Sequence, residues 1–299
     1  MFTENNSVFV ERTIEDLNKL RMHNEPVVGC VKKYIPNNAL IIDLGNDIEG
    51  VLPLDKFEDS ENISLSGIVS KVGSNICAFI EDINESENKV NLNRARLHKW
   101  YKSEVLDNME YGSVFSTNVI SVAPFGVFID MGYGVLGLLS KNDISIARIP
   151  NINDAFSPDE ELKVVYKGKT NMGYVVSHKE LLGNWEENVA DFSEGEVTLG
   201  IIRDIKPYGA FIEIAPNLTG LADIIDGFNY KIGQSITVLF KSANMDKQKV
   251  KLHIVKPSPT EYKPKYVYKI NSGVLKEWVY TPKSSRKEIK SIFDGSVER

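Results

Sequence analysis

The residues whose types and spacing could do chemistry are aromatic rings, set in two blocks of one design: Phe125-Gly126-Val127-Phe128 and Tyr208-Gly209-Ala210-Phe211. Rings of this kind, beside cationic groups that follow a phosphate backbone, bind single-stranded nucleic acid, with each stacked base contributing about 1–3 kcal/mol. Strand alternation puts residues i and i+2 on one face, so rings three apart need a bulge to meet, and the intervening glycine lets the chain bend sharply or bulge between the first two strands. The alternative is that one ring of each pair fills a core.

Catalytic chemistry finds no matching constellation. His23, His98, His178 and His253 are scattered, none with metal-ligand spacing, and neither a nucleophile elbow nor a phosphate loop occurs. His178 reads as a surface or packing residue. Asp130 and Glu213 recur at one place in two similar segments, which fits a structural role better than an acid–base pair. Cys30 and Cys77 are too few for a disulfide framework or a thiolate zinc site and read as buried free thiols. The expectation is a non-enzyme with no cofactor and no metal.

Charge narrows the binding chemistry. Lys and Arg total 35 against 41 Asp and Glu, a formal net charge of -6, so any contact with phosphate must be local rather than a property of the whole surface. From Lys256 onward, however, there are 10 basic and 5 acidic residues, a +5 tail on a -11 body. No apolar run has the length of a membrane span, and the start lacks the order of a signal peptide; a cytoplasmic protein without membrane contact is expected.

The elements that position the rings come from an internal repeat. Gly112–Ser140 aligns without a gap on Gly195–Asp223 at an offset of 83 positions, and an eroded copy in the first third keeps Ile42-Asp43-Leu44-Gly45 but has Asn38 and Ile41 in place of the rings. Each copy alternates β-branched and apolar residues between Gly, Pro and Asn turns. In the third copy strands are predicted at about 197–206, 210–214, 220–222, 235–241 and 250–254. Five short strands in about 60–70 residues fit a small closed barrel, which leaves no edge exposed.

Between the copies lie two predicted linker helices. Ser177 and Glu180 form a capping-box start ahead of a Leu181, Trp185, Val189 stripe; Arg94–Asn108 carries Leu97, Tyr101 and Val105 on one face, and Trp100 and Trp185 are expected to pack these helices onto barrels. Thr13, Ile14, Leu17 and Leu20 suggest a short N-terminal helix. In the tail, Asn271-Ser272-Gly273 signals a hairpin, Ser284 or Ser285 opens an amphipathic stretch with Ile289 and Phe293, and Tyr262, Tyr266, Tyr268, Trp278 and Tyr280 alternate with lysines. The tail is expected to pack on the third barrel, with a separate nucleic-acid contact as the alternative.

These segments, above all PFGVFIDMGYGVLGLLS and PYGAFIEIAPNLTGLAD, resemble the S1 RNA-binding domain, the repeat of bacterial ribosomal protein S1, over roughly residues 25 to 255. The resemblance implies a mainly β chain of three tandem five-stranded oligonucleotide-binding barrels joined by short helices, with a C-terminal hairpin and helix extension. The corresponding boundaries are 1–24 N-terminal segment, 25–95 degenerate barrel, 96–110 linker, 111–177 barrel, 178–193 linker, 194–255 barrel and 256–299 basic extension.

The resemblance also implies stacking roles for Phe125, Phe128, Tyr208 and Phe211. Where the family often has His after the third strand's Gly-Leu, this chain has Pro53, Ser140 and Asp223; Ser140 keeps a donor, whereas Asp223 repels phosphate. The family's basic residue before the last strand appears as Lys249 and, in the first copy, Lys89; in the second copy Gly173 stands there, and Lys163, Lys167 and Lys169 substitute. Lys206, Arg203, Phe240 and Lys241 complete a basic and aromatic patch on the third copy. The implied partners are single-stranded messenger RNA and, through the first barrel, the small ribosomal subunit, the alternative for that barrel being a capping repeat with no partner. The alternative function is a protein-interaction scaffold of such barrels that has lost RNA binding.

Overall fold

A computed structural model describes residues 9–59, 65–171, 173–225, 229–263, 265–285 and 288–296. The first eight residues of the N-terminal segment lie outside the described residues. Three closed five-stranded barrels follow one another along the chain. The first is β1 (Val27–Ile35), β2 (Ala39–Asp43), β3 (Glu49–Pro53), β4 (Asn75–Asn84) and β5 (Lys89–Asn93), preceded by α1 (Ile14–His23) and carrying α2 (Leu65–Val69) between β3 and β4. After α3 (Arg94–Tyr101) comes the second, β6 (Val114–Ala123), β7 (Gly126–Asp130), β8 (Leu136–Ser140), β9 (Glu161–Thr170) and β10 (Gly173–Ser177), with α4 (Lys141–Ile144) after β8. α5 (Trp185–Val189) leads to the third, β11 (Val197–Lys206), β12 (Gly209–Ala215), β13 (Leu218–Ala222), β14 (Ser235–Asn244) and β15 (Lys249–Pro257).

Within each barrel the first three strands form an antiparallel meander, the fourth pairs with the first, and the fifth closes the ring by running parallel to the third. Alternation explains why these sequences close. On β15, Val250, Leu252 and Ile254 are buried, while Lys249, Lys251 and His253 between them are exposed. Inward residues such as Leu40, Ile42 and Leu92 in the first barrel, or Ile202, Ile212 and Val238 in the third, fill the interiors, each stabilising the fold by about 1.5–3 kcal/mol.

The contacts divide the chain into two units, residues 1–109 with 130–136, and residues 110–129 with 137–299. In the first unit, Leu17 of α1 is wholly buried in the first barrel's core. There α3 also holds the turn 131–135, with the His98 ring nitrogen Nε2 2.8 Å from the Tyr133 carbonyl and the Tyr101 hydroxyl donating to Met131 at 3.1 Å. Burial, with Arg94 nearby, holds the His98 imidazole well below its ordinary pKa.

In the second unit the linker departs from expectation. The capping box is made by Asn184 and Glu187 rather than Ser177 and Glu180, because Ser177 still belongs to β10 and a 3-10 turn, Lys179–Leu182, intervenes. Leu181, Trp185 and Val189 are nonetheless all buried.

The C-terminal extension needs a larger correction. Asn271-Ser272-Gly273 does bend the chain, but its two arms pair elsewhere rather than with each other. Val114 and Leu275 make backbone bonds with Gly273 and Gly112, and the paired strands of the extension are β16 (Glu277–Val279) and β17 (Lys290–Ile292). The stretch with Ile289 and Phe293 is therefore extended, not helical; the Tyr280 N–H donates to the Ile289 carbonyl, and residues 286–287 lie outside the described residues. No described helix is long and apolar enough to cross a membrane.

Candidate nucleic-acid interface

Each ring pair sits where the first two strands of its barrel turn back. Pro124 and Phe125 form a two-residue connection closed by the pair Ala123–Gly126; Pro207 and Tyr208 do the same ahead of Lys206–Gly209. The glycine is thus the residue that closes the turn, and the register shift lies earlier on the opposing strand, between Val119 and Ser121 or Ile202 and Asp204. Of the sharp bend or bulge expected at the glycine, the bend is there and the bulge lies instead on the opposing strand. The reason for glycine is steric: a Cβ at Gly126 would meet the Leu139 carbonyl at 2.5 Å, and one at Gly209, where φ is +149°, the Ala222 carbonyl at 2.6 Å.

A ring on the turn and a ring three residues further on, on the strand, then meet without needing strand alternation. Phe125 and Phe128 are edge to face with centroids 5.9 Å apart, and Tyr208 and Phe211 likewise at 6.3 Å. The turn rings are open, Phe125 54% and Tyr208 64% exposed, while Phe128 and Phe211 are half-buried beneath them. Each pair therefore offers one free face on a ring held by its partner, at the same place on two barrels. In the first barrel Asn38 and Ile41 occupy the corresponding positions, beside the pair Ile35–Ala39.

The cations divide by what holds them. Lys167 is tied to Asp143 at 3.0 Å, and Asp143 is bound a second time by Lys179 at 2.8 Å. Lys163 Nζ donates to the Asn271 carbonyl at 3.0 Å. Lys206 pairs with Asp204 at 3.0 Å, and Asp204, which faces Phe211 across the strands, also meets Arg148 at 3.4 Å; these cations hold the Asp204 carboxyl below its usual range. Lys169 is exposed, its ammonium 5.2 Å from the centre of the Tyr174 ring. Ser140 caps α4 through its hydroxyl oxygen, which accepts from the Asn142 N–H at 3.4 Å, so its own hydrogen can still donate.

Two residues expected in the third barrel's patch lie inside instead. Phe240 is 3% exposed and stacks on Phe192 with centroids 5.7 Å apart, because β14 alternates and places it inward. Arg203 is buried against Glu213, whose carboxyl burial pushes upward while Arg203 pulls it down.

Lys241 and Lys249 are exposed, and a third lysine joins them that the sequence reading passed over. Lys251 faces Leu221, which in turn faces Phe211, so it lies two strands from that ring, about 10 Å away at the usual strand spacing. Among the described residues none of Lys241, Lys249 and Lys251 forms a salt bridge. The signal was present in Lys249-Val250-Lys251-Leu252-His253, an alternation that puts three basic or titratable residues on one outer face.

A family model described as the S1 RNA binding domain matches residues 109–169, which hold the first ring pair and four of the second barrel's five strands. The second barrel is therefore similar to the S1 RNA-binding domain over these residues. Over a longer stretch the chain is similar to bacterial ribosomal proteins. It is 27% identical over 240 residues to the small ribosomal subunit protein bS1 homolog of Bacillus subtilis, covering 78% of this chain and 61% of that one. It is 26% identical over 269 residues to small ribosomal subunit protein bS1 of Staphylococcus epidermidis, covering 84% and 66%, and 27% identical over 223 residues to that of Leuconostoc lactis, covering 66% and 50%. The chain thus spans about half to two thirds of the length of these relatives. The second and third barrels share the ring pair, whereas the first shares only the scaffold.

Proposed function

We propose that this chain is a non-catalytic, single-stranded RNA-binding protein that engages messenger RNA through the second and third barrels. The observation that carries the reading is the duplicated ring pair: an exposed ring steadied edge to face by a second, at one position on two barrels. Bases stack on Phe125 and Tyr208 while Phe128 and Phe211 support them, and Lys169 on one barrel and Lys241, Lys249 and Lys251 on the other meet the phosphates. Ser140 donates to the strand in the second barrel. Lys206, neutralised by Asp204, and Lys167, held by Asp143, contribute less. The first barrel, which lacks the rings, serves as a protein-docking module, and the relatives named for the small ribosomal subunit make that particle the partner to test.

The test is an anisotropy titration of labelled single-stranded RNA at several salt concentrations. Binding at micromolar concentration or tighter is expected, with log K falling against log salt by roughly 0.7 for each phosphate neutralised. No binding at low salt overturns the reading in favour of a protein scaffold.

A further inference from the structure

The C-terminal extension touches the second barrel, the linker and the third barrel, and the tyrosines and tryptophan singled out above are among the residues that do so. On the third barrel, the Tyr262 hydroxyl donates to the Ile214 carbonyl at 3.1 Å, its N–H donates to Ser235, and Trp278 and Tyr280 are part of that barrel's core cluster. On the linker, the Lys269 N–H donates to the Leu181 carbonyl at 2.9 Å, the Trp185 N–H to the Tyr280 carbonyl at 3.0 Å, and the Ser291 hydroxyl to buried Glu180 at 2.6 Å.

On the second barrel, Tyr266 stacks on Phe156 at 5.3 Å and meets His178 edge-on at 4.7 Å. Tyr268 accepts from the Lys163 N–H at 3.0 Å, and Val114 and Leu275 exchange backbone bonds with Gly273 and Gly112. The approach at Gly112 is so close that a Cβ there would lie 1.7 Å from the Leu275 carbonyl oxygen. A direct joint lies under the same strap: the Asn217 carboxamide of the third barrel accepts from the Ile146 N–H at 2.9 Å and donates to the Lys179 and Gly183 carbonyls at 2.7 and 3.1 Å.

We propose that residues 258–296 act as an intramolecular clamp that holds the second and third barrels as one body, so that both ring pairs engage one RNA strand. The second half rests on the reading above. Fixing two weak sites at a set separation raises the effective concentration of the second once the first is filled, without any new contact to the ligand. The basic tail therefore acts on RNA through geometry.

The test uses the full chain with Cys30→Ser and Cys77→Ala, spin-labelled at Asn153→Cys on the second barrel and Lys247→Cys on the third, both exposed. A narrow distance distribution is expected that broadens in the Tyr266→Ala, Tyr268→Ala variant. An equally narrow distribution in that variant overturns the clamp. Hydrogen exchange on the unaltered protein tests the same point without any substitution. The Val114, Lys269 and Leu275 amides should be protected like barrel-core amides, and exchange at unstructured rates overturns it.

RNA is the second readout. The double variant should lose about 10-fold or more in affinity for a 20-nucleotide strand and less than 2-fold for a 5-nucleotide one; equal losses for both overturn the avidity role. If neither RNA binds the unaltered protein while the distances broaden on substitution, the clamp is supported and the RNA reading is overturned.

Discussion

At the scale of single residues, exposure separates rings that can work from rings that only pack. Phe125 and Tyr208 present more than half their surface, whereas Phe240, which the sequence placed in the same patch, is enclosed beside Phe192. Phe125→Ala and Tyr208→Ala should each weaken single-stranded RNA by about 5- to 150-fold, the equivalent of one stacked base, and leave the melting temperature nearly unchanged. Phe240→Ala should do the opposite, destabilising the third barrel by about 3–5 kcal/mol in urea denaturation while the folded fraction still binds RNA normally. The lysines sort by the same logic. A cation already held by a carboxylate, as Lys206 is by Asp204, brings little net charge to a phosphate, while Lys251 brings its whole charge.

Among the elements, the linker between the second and third barrels carries a buried imidazole whose tautomer is set by its partners and whose neutral state is set by burial. His178 Nδ1 lies 2.9 Å from the Ile144 carbonyl, which can only accept, so Nδ1 holds the proton and Nε2 accepts from the Tyr268 hydroxyl at 3.3 Å. Burial lowers its pKa from 6.5 to about 4. In the folded chain His178 stays neutral where an unfolded chain would take up a proton. Its contribution is whole above pH 6.5 and is lost as pH falls toward 4, roughly 3 kcal/mol across that window. Melting temperature against pH should therefore fall more steeply between 6.5 and 4 in the parent than in His178→Gln; parallel curves would contradict the assignment.

How far the sequence carried the elements follows from what alternation records. Ser235–Asn244 and Lys249–Pro257 were readable because inward apolar and outward polar residues alternate along them, and the ring pairs because they repeat at one offset. The extension was not readable in the same way. Its turn at Asn271-Ser272-Gly273 is local and was visible, but its pairing partners, Gly112, Leu181 and Trp185, are fixed by tertiary contacts that no short window encodes. The glycine in each ring block was readable for the bend it makes, but not for the third-strand carbonyls of Leu139 and Ala222 that crowd it, which lie 13 residues further along the chain. Asn217 gave only a turn signal, although it holds three backbone segments together.

For the molecule as a whole, a net charge of -6 is compatible with the proposed RNA binding, which calls on only a few exposed cations, Lys169 in the second barrel and Lys241, Lys249 and Lys251 in the third. The first barrel keeps the closed scaffold without rings, and the second and third keep both. The central claim concerns where RNA lies on this chain, and ultraviolet cross-linking of the full protein to single-stranded RNA, with the attached peptides mapped by mass spectrometry, tests it most directly. Cross-links concentrated at Phe125 and Phe128 and at Tyr208 and Phe211, with neighbours on Lys249–His253, are the predicted result. Cross-links confined to the first barrel or to the C-terminal extension would contradict it.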